Sequence, residues 1–306
     1  MERKEVREIK GLEEMRQRSG RIAAFFDLDG TLLAKPSLEK RFFAMLRSRH
    51  LIGMRNHLGW LAEAMRLAPR GIGQIMHANK MYLRGVRADE ALCGTDIPVC
   101  CLVENGQVAR DETRGKRKEE RKRQAGMPVL RFFHEAMQRL AWHAERGHLI
   151  VILSGTLEPL AVFVAGALEA ELRARGLANE IRVRATRLEE KHGRWTGRIV
   201  GEAMFGAAKA RAIRRMAAEA DLDLSQCFAY GDSSSDQWMF ETVGKPIPVN
   251  PSNDLGRIAR RNSWAILRWG IERSFTQRTP MAQGSQTTET TQNGWQAGNP
   301  KSEHGA

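Results

Sequence analysis

The feature that most constrains the fold is a series of short, continuously apolar runs separated by longer segments with helical periodicity. Four such runs stand at residues 21–27, 147–155, 226–232 and 263–269. Uninterrupted apolar runs of this length are typical of strands that are buried on both faces of a parallel sheet. Because helical segments separate them, the sequence predicts an α/β fold, with a parallel sheet and helices on both faces.

Weaker patterns complete this prediction. Residues 180–189 indicate a further strand, followed by a hairpin through 190–199, and residues 245–251 indicate a short strand. Apolar residues at helical spacing predict four helices, at residues 129–147, 158–176, 202–220 and 236–244. Gly147 and Gly176 stand where the first two of these helices are expected to end.

The alternation of strands and helices is interrupted after the first strand. Residues 37–92 are helical in pattern and predict a helical module inserted into the α/β core. The predicted segments are an N-terminal helix at 1–20, the core at 21–35 and 140–270, the helical module at 36–139 and a disordered polar tail at 271–306. The strongly charged residues 93–127, inside the module, are expected to be an atypical, flexible surface insert.

The net charge of +13 is the compositional feature that raises the question of a polyanionic partner. The most basic segment, residues 110–124, mixes eight basic residues with four acidic ones. Such a mixed run is more typical of a solvated helix or arm than of a binding surface, so we expect no nucleic-acid partner. Because there is no apolar signal segment and no run of membrane-spanning length, we expect a cytoplasmic protein without a membrane span. The sequence leaves the oligomeric state open.

Polar residues stand where successive predicted strands end. Ligands of open parallel sheets bind at the carboxyl ends of the strands, so these residues are the candidates for a site. They are Asp27 and Asp29, then Ser154, Gly155 and Thr156, then Lys209 on a helix, then Asp232 and Asp236. Each has a purely structural alternative: a turn for "DLDGT", helix capping for Ser154, Thr156 and "GDSSSD", and a solvated helix position for Lys209.

Together these residues favour phosphoryl transfer. The carboxylate of Asp27 can attack phosphorus and carry the phosphoryl group. A hard cation held by Asp27 and Asp232 can screen the repulsion between the two anions. Ser154 with nearby backbone N–H groups can bind phosphate oxygens, and Lys209 can offset negative charge. Asp29 can protonate the leaving oxygen and later accept a proton from water.

The ordered motifs "DLDGT" (27–31), "LSGT" (153–156), Lys209 and "GDSSSD" (231–236) resemble those of the haloacid dehalogenase superfamily, and most of all subfamily IB, which contains phosphoserine phosphatase. The resemblance implies a Rossmann-like parallel-sheet core with an inserted helical (C1-type) cap. It also implies Asp27 as nucleophile and Asp29 as general acid and base, and it favours phosphate ester hydrolysis over dehalogenation. The implied ligands are, for Mg²⁺, Asp27, Asp29 through its carbonyl, Asp232 and, nearby, Asp236, and for phosphate, Ser154, Gly155 and Lys209.

Two departures from the family leave the substrate open. Phosphoserine phosphatases usually carry a glutamate nine positions after the nucleophile, and here that position is Pro36, with Glu39 as a possible substitute. The insert at 93–127 is the second departure. We therefore expect a small phosphorylated metabolite, with phosphoserine as one candidate. The alternatives are a phosphotransferase that uses the same intermediate and a non-catalytic binding protein whose basic insert contacts nucleic acid or membrane.

Overall fold

The computed structural model describes residues 21–71, 75, 77–92, 99–100 and 130–270, all within the first of two units of the chain. The predictions for residues 1–20, for the polar tail at 271–306 and for the charged insert, apart from two of its residues, lie outside the described residues. Among the described residues, no helix combines the length and the apolar character that a bilayer span requires.

The core is a sheet of five parallel strands, which confirms the predicted α/β class. In spatial order they are β5 (Ile181–Thr186), β4 (Leu149–Leu157), β1 (Ala23–Phe26), β8 (Phe228–Gly231) and β9 (Lys245–Pro248). All four side chains of β1 are buried. Ala24 and Phe26 belong to one apolar cluster, whereas Ala23 and Phe25 belong to another. This alternation places β1 between two apolar layers, which explains why its sequence is apolar without interruption.

Helices cover the sheet and form the inserted module. They are α1 (Leu38–Ser48), α2 (Met54–Leu67), α3 (Ala88–Leu92), α4 (His134–Glu145), α5 (Glu158–Ala174), α6 (Ala207–Ala220), α7 (Gln237–Phe240) and α8 (Asn253–Arg261). Local signals set several of their ends. Ser37 caps α1 by accepting a hydrogen bond from the Lys40 N–H, and Pro159 stands in the first turn of α5. Gly147 and Gly176, which follow α4 and α5, have positive φ angles, as expected for helix ends.

The described residues of the inserted module are mainly helical up to Leu92, whereas Val99–Cys100 and Leu130–Arg131 form a short pair of strands. It contains α1, α2, α3 and two 3-10 turns, at Ala68–Arg70 and Met81–Leu83. The residues that follow the second 3-10 turn contact the predicted hairpin, which is present as the antiparallel strands β6 (Leu188–Lys191) and β7 (Arg194–Ile199). The N–H of Gly85 donates to the carbonyl of Trp195, and the N–H of Trp195 donates to the carbonyl of Val86. These bonds fix the module to the core by backbone contacts.

The prediction of a strand at 263–269 is wrong. Within this segment only Leu267 forms a bridge, to Val249, and the rest is irregular. The side chain of Asn250 forms the hydrogen bonds that a neighbouring strand would otherwise form with Trp269. Its Nδ2 donates to the carbonyl of Trp269, and its Oδ1 accepts from the N–H of Trp269. A side chain thus satisfies backbone groups that a strand would have paired.

Three helices are shorter than the sequence predicts. The one expected from residue 129 begins at His134, because Leu130–Arg131 form β3, which pairs with β2 (Val99–Cys100), the described part of the insert. The expected domain boundary at 139/140 falls inside α4. The helix expected from residue 202 begins after Gly206, whose φ is +58°. The helix expected from residue 236 is reduced to the four residues of α7, after a 3-10 turn.

Candidate active site

Three carboxylates meet at the carboxyl ends of two neighbouring strands. Asp27 directly follows β1, and Asp232 directly follows β8. Asp27, Asp232 and Asp236 each offer a carboxylate oxygen, and these oxygens lie within 4.8 Å of one another. All three residues are buried. Buried carboxylates at this separation repel each other strongly unless cations accompany them.

Lys209 supplies one of these cations. Its Nζ lies 2.6 Å from Asp27 Oδ1 and 2.6 Å from Asp236 Oδ1, and its side chain is only 3% exposed. Burial alone would lower the pKa of this ammonium group, but Asp236 and Asp27 outweigh burial and raise the pKa above its ordinary value. The alternative of a solvated helix lysine is therefore wrong. Lys209 is a fixed positive charge between two of the carboxylates.

The negative charge that remains on the carboxylates beside Lys209 favours the binding of a hard cation. Burial raises the pKa of Asp27 well above its ordinary value, although Lys209 acts against this. Burial also raises the pKa of Asp232, although Lys35 lies 3.0 Å away and lowers it. The raised pKa values mean that burial disfavours the charged forms of these carboxyl groups more than the nearby lysines stabilise them. Their oxygens are the ligand type that Mg²⁺ and Ca²⁺ prefer, so the described residues suit a divalent cation.

Two glycines allow the strand ends to approach one another. Gly30 has a φ of +90°, and a β-carbon at this position would collide with the carboxylate of Asp232. A β-carbon on Gly231 would lie 2.7 Å from Asp236 Oδ2, which is also too close. The glycine in "DLDGT" and the glycine in "GDSSSD" are therefore steric requirements of the carboxylate cluster.

Asp29 points toward the helical module. Its Oδ1 accepts a hydrogen bond of 2.6 Å from the N–H of Leu38, the first residue of α1. Burial raises the pKa of Asp29 to about 6, and the nearby charges of Glu39 and Asp232 contribute in the same direction, whereas the Leu38 hydrogen bond lowers it. A carboxyl group that titrates close to neutrality can both donate and accept a proton.

Ser154 and Gly155 lie on the next strand of the sheet. Phe26 pairs with Ile152, so Ser154 is at the same edge of the sheet as Asp27. Its Oγ accepts a hydrogen bond from the N–H of Thr156, whose own Oγ1 is buried and has no partner among the described residues. Helix α5 is preceded by Leu157 and has no side-chain cap. The capping alternative for Ser154 and Thr156 is therefore wrong, although no described hydrogen bond joins Ser154 to the carboxylates.

The segment "GDSSSD" both caps the turn that follows it and supplies carboxylates to the cluster. Asp236 Oδ2 accepts from the N–H and the hydroxyl group of Ser233, which is a capping arrangement for the turn that follows. Its other oxygen, Oδ1, accepts from Lys209. Capping thus fixes the orientation in which Asp236 meets the lysine.

Two features of the site were not predicted from the sequence. One is Lys35, which pairs with Asp232. The other is a cluster in the module in which Lys80 Nζ lies 2.6 Å from both carboxylate oxygens of Glu39, and the Tyr82 hydroxyl donates to Glu39 Oε1 at 2.5 Å. The Lys80 side chain is 1% exposed. Glu39 is separated from Lys80 by 41 residues, so no local pattern indicates this pair.

The comparisons with known proteins agree with this geometry. The sequence profile of the haloacid dehalogenase-like hydrolases matches residues 24–241. The chain belongs to this family. The predicted family membership and the predicted class of enzyme are therefore confirmed.

Curated relatives from Mycobacterium tuberculosis match most of the chain. The protein named phosphoserine phosphatase SerB1 is 28% identical over 254 residues, which are 82% of this chain and 72% of that protein. The protein named "Probable phosphatase Rv3661" is 29% identical over 264 residues, which are 85% of this chain and 79% of that protein. Both matches extend over the helical module as well as the α/β core.

A solved structure shows the same fold. It is a protein of unknown function from Bordetella pertussis Tohama I, with 24% sequence identity and a TM-score of 0.52. The match covers 81% of this chain and 99% of that one. This likeness shows that the two chains share a fold.

Proposed function

We propose that the protein is a magnesium-dependent phosphomonoester hydrolase that acts on a small phosphorylated metabolite through an aspartyl-phosphate on Asp27. The observation that carries the proposal is the buried cluster in which Lys209 bridges Asp27 and Asp236 beside Asp232. Membership of the hydrolase family supports it. So do the relatives whose names describe them as phosphatases, one of them a phosphoserine phosphatase.

Asp27 is the nucleophile in this proposal. Its Oδ1 is held by Lys209, and its Oδ2 accepts no hydrogen bond from the described residues, so Oδ2 is the oxygen that attacks phosphorus. A bond from Oδ2 to phosphorus forms while the bond from phosphorus to the leaving oxygen breaks. Asp29, protonated below a pKa of about 6, gives its proton to the leaving oxygen. The product alcohol departs and Asp29 remains as a carboxylate.

Hydrolysis of the intermediate reverses the role of Asp29. The carboxylate takes a proton from a water molecule, whose oxygen attacks phosphorus. The bond between phosphorus and Asp27 breaks, inorganic phosphate forms, and both aspartates return to their starting states. One residue thus serves as acid and then as base.

Ser154, Gly155 and Lys209 bind the phosphoryl oxygens in this proposal. Ser154 is buried at the edge of the sheet where Asp27 lies, and Thr186 Oγ1 fixes this end of β4 by donating to the carbonyl of Gly155 at 2.9 Å. A divalent cation would be held by Asp27, Asp232, the Asp29 carbonyl and, nearby, Asp236. Bound Mg²⁺ would screen the repulsion between the phosphate and the carboxylates.

A kinetic experiment tests the function. Purified protein is incubated with phenyl phosphate in Mg²⁺ or in a chelator, beside the variants Asp27→Asn and Arg214→Gln, the latter an exposed position on α6. We expect Mg²⁺-dependent release of phenol, with a loss of at least about a thousandfold in Asp27→Asn and none in Arg214→Gln. Turnover that survives in Asp27→Asn would contradict the mechanism. In the presence of added alcohols, equal release of phenol and inorganic phosphate would indicate hydrolysis. Release of less inorganic phosphate than phenol would indicate phosphoryl transfer to the alcohol.

A further inference from the structure

His77 places an imidazole of the helical module beside Gly155, one of the residues proposed above to bind phosphate. A β-carbon built on Gly155 would lie 3.6 Å from His77 Nδ1, so the ring lies next to Gly155 at the end of β4. The ring stacks on Phe205, with 3.8 Å between the centroids and 14° between the planes. Phe205 precedes α6, the helix that carries Lys209. The stacking therefore fixes the ring against the core.

The two ring nitrogens are the polar atoms of the His77 side chain. Among the described residues, neither of these nitrogens has a hydrogen-bond partner. Burial and the charge of Lys80 lower the pKa of the ring and so favour its neutral form. A neutral imidazole has one donor and one acceptor nitrogen. It can therefore form hydrogen bonds with a ligand that extends past Gly155.

His77 also lines a cavity of about 700 Å³ between the module and the core. The acidic residues that line it are Glu63 and Glu202, and each is paired with an arginine, Arg66 and Arg211 respectively. Arg198 lines the cavity as a further cation. The described lining thus has an excess of positive charge, and each of its carboxylates has an arginine beside it.

The carboxylate of Glu39 is also compensated. Lys80 binds both of its oxygens and Tyr82 binds one of them. A second cation close to Glu39 would have to compete with an ammonium group that is already in place and buried. Among the described residues, His77 therefore offers hydrogen bonds to a leaving group, whereas neither the Glu39 cluster nor the cavity lining offers an unpaired carboxylate to an ammonium group.

We propose that His77 contacts the leaving group of the substrate and that this subsite selects phosphomonoesters of hydroxylated alcohols without an ammonium group. This inference rests on the proposed function and specifies its substrate class. A hydroxyl group of the alcohol bonds to the imidazole, and the paired glutamates and the arginines disfavour a cation. Esters of diols, glycerol and other polyols belong to this class, whereas phosphoserine and aminoethyl phosphate do not.

A matched pair of substrates tests the selection without any variant. 2-Hydroxyethyl phosphate and 2-aminoethyl phosphate have the same length and differ in the terminal hydroxyl or ammonium group. We expect kcat/KM to be at least about tenfold higher for the hydroxyl compound, which corresponds to one net hydrogen bond. Phenyl phosphate is the reference substrate. If it is hydrolysed while the pair is not distinguished, or the amine is preferred, the inference fails and the proposed function stands; if no phosphomonoester is hydrolysed, both fail.

Two variants test the assignment to His77. His77→Phe keeps a ring that can stack on Phe205 but removes the nitrogens, and His77→Gln keeps polar atoms without the ring. We expect His77→Phe to lower the ratio of kcat/KM for 2-hydroxyethyl phosphate over phenyl phosphate about tenfold, mainly through KM, and His77→Gln to restore part of the ratio. A ratio in folded His77→Phe equal to that of the wild type would overturn the assignment.

Removal of the cation at Glu39 tests the electrostatic argument. Lys80→Met leaves Glu39 without its ammonium partner, so we expect the preference for the hydroxyl compound over the amine to shrink at least about threefold. Lys80→Met/Glu39→Gln is the charge-matched control and should retain the preference. Circular dichroism verifies that both variants fold. An unchanged preference in folded Lys80→Met would contradict the role of this cluster.

Discussion

The Oδ1 atom of Asp29 accepts a hydrogen bond of 2.6 Å from the backbone N–H of Leu38, where α1, the first helix of the helical module, begins. The N–H groups of a first helical turn lack partners within the helix, and they favour a negative charge. The proposed general acid is therefore oriented by the module that is expected to select the substrate. This contact links the proton-transfer step to the position of α1.

The proton of Asp29 should make the first chemical step depend on pH. Burial raises the pKa of this carboxyl to about 6, so the protonated form that is needed to expel an alkoxide decreases as the pH rises through this value. We expect the rate of phosphoryl-enzyme formation from an alkyl phosphate to fall above about pH 6. Rapid-quench measurement of product alcohol across this range gives the profile.

The variant Asp29→Asn is the control for this profile. Asparagine keeps the shape but has no proton to give, so we expect the rate with the alkyl phosphate to drop about a hundredfold or more and to lose its dependence on pH. An aryl phosphate, whose leaving group is more stable as an anion, should be affected less. A profile in Asp29→Asn that parallels the wild type would assign the titration to another group.

Loss of Lys209 should destabilise the protein in the absence of metal. Lys209→Met removes the ammonium group that lies 2.6 Å from Asp27 and from Asp236, and leaves two buried carboxylates without their partner. Breaking a buried pair in this way costs about 3–5 kcal/mol in the free energy of unfolding. Urea denaturation in a chelator measures this cost, with Arg214→Met on the exposed side of the same helix as the control. A cost no larger than that of Arg214→Met would contradict the electrostatic role.

The sequence predicted the strand ends well because their signals are local. The apolar runs before Asp27 and Asp232 are buried on both faces of the sheet, and the polar residues begin where those runs end. The parallel order of the strands then brings Asp27 close to Asp232, although they are far apart in the chain. For this part of the site, the motif order carried the required information.

Other contacts had no local signal. Lysine is seldom fully buried, so nothing in the sequence around Lys80 indicates its pair with Glu39. The segment at 263–269 has the composition of a strand, but the amide of Asn250 binds the backbone of Trp269 in place of a neighbouring strand. Both features depend on tertiary contacts that become visible only when the chain is folded.

Gly30 should be intolerant of any side chain for two separable reasons. Its φ of +90° disfavours a β-carbon, and that carbon would collide with Asp232. Gly71 has a similar φ of +95°, but none of the described residues lies within 4 Å of the added carbon, so Gly71→Ala isolates the backbone cost. We expect about 1 kcal/mol for Gly71→Ala and about 2–4 kcal/mol for Gly30→Ala by urea denaturation. We also expect weaker Mg²⁺ binding by calorimetry only in Gly30→Ala. Equal effects of the two substitutions would contradict the steric role.

His143 should make the fold sensitive to acid. Its ring is completely buried, with Nε2 2.9 Å from the Tyr230 hydroxyl and Nδ1 2.8 Å from His148 Nδ1. Burial, aided by the charge of His148, lowers the pKa of His143 to about 3. The unfolded chain binds a proton near pH 6.5, so the free energy of unfolding is expected to fall as the pH drops from about 6.5 toward 3. The total loss should be of the order of 4 kcal/mol.

A pair of variants assigns this acid sensitivity. His143→Leu/Tyr230→Phe removes the ring and also the hydroxyl group that would otherwise lose its partner, so the stability should become flatter between about pH 6.5 and 4. His134→Leu, an exposed position on the same helix, should keep the slope of the wild type. Urea denaturation at each pH provides the slopes. If the double variant loses stability in acid as steeply as the wild type does, the titration that drives the loss belongs to groups other than His143.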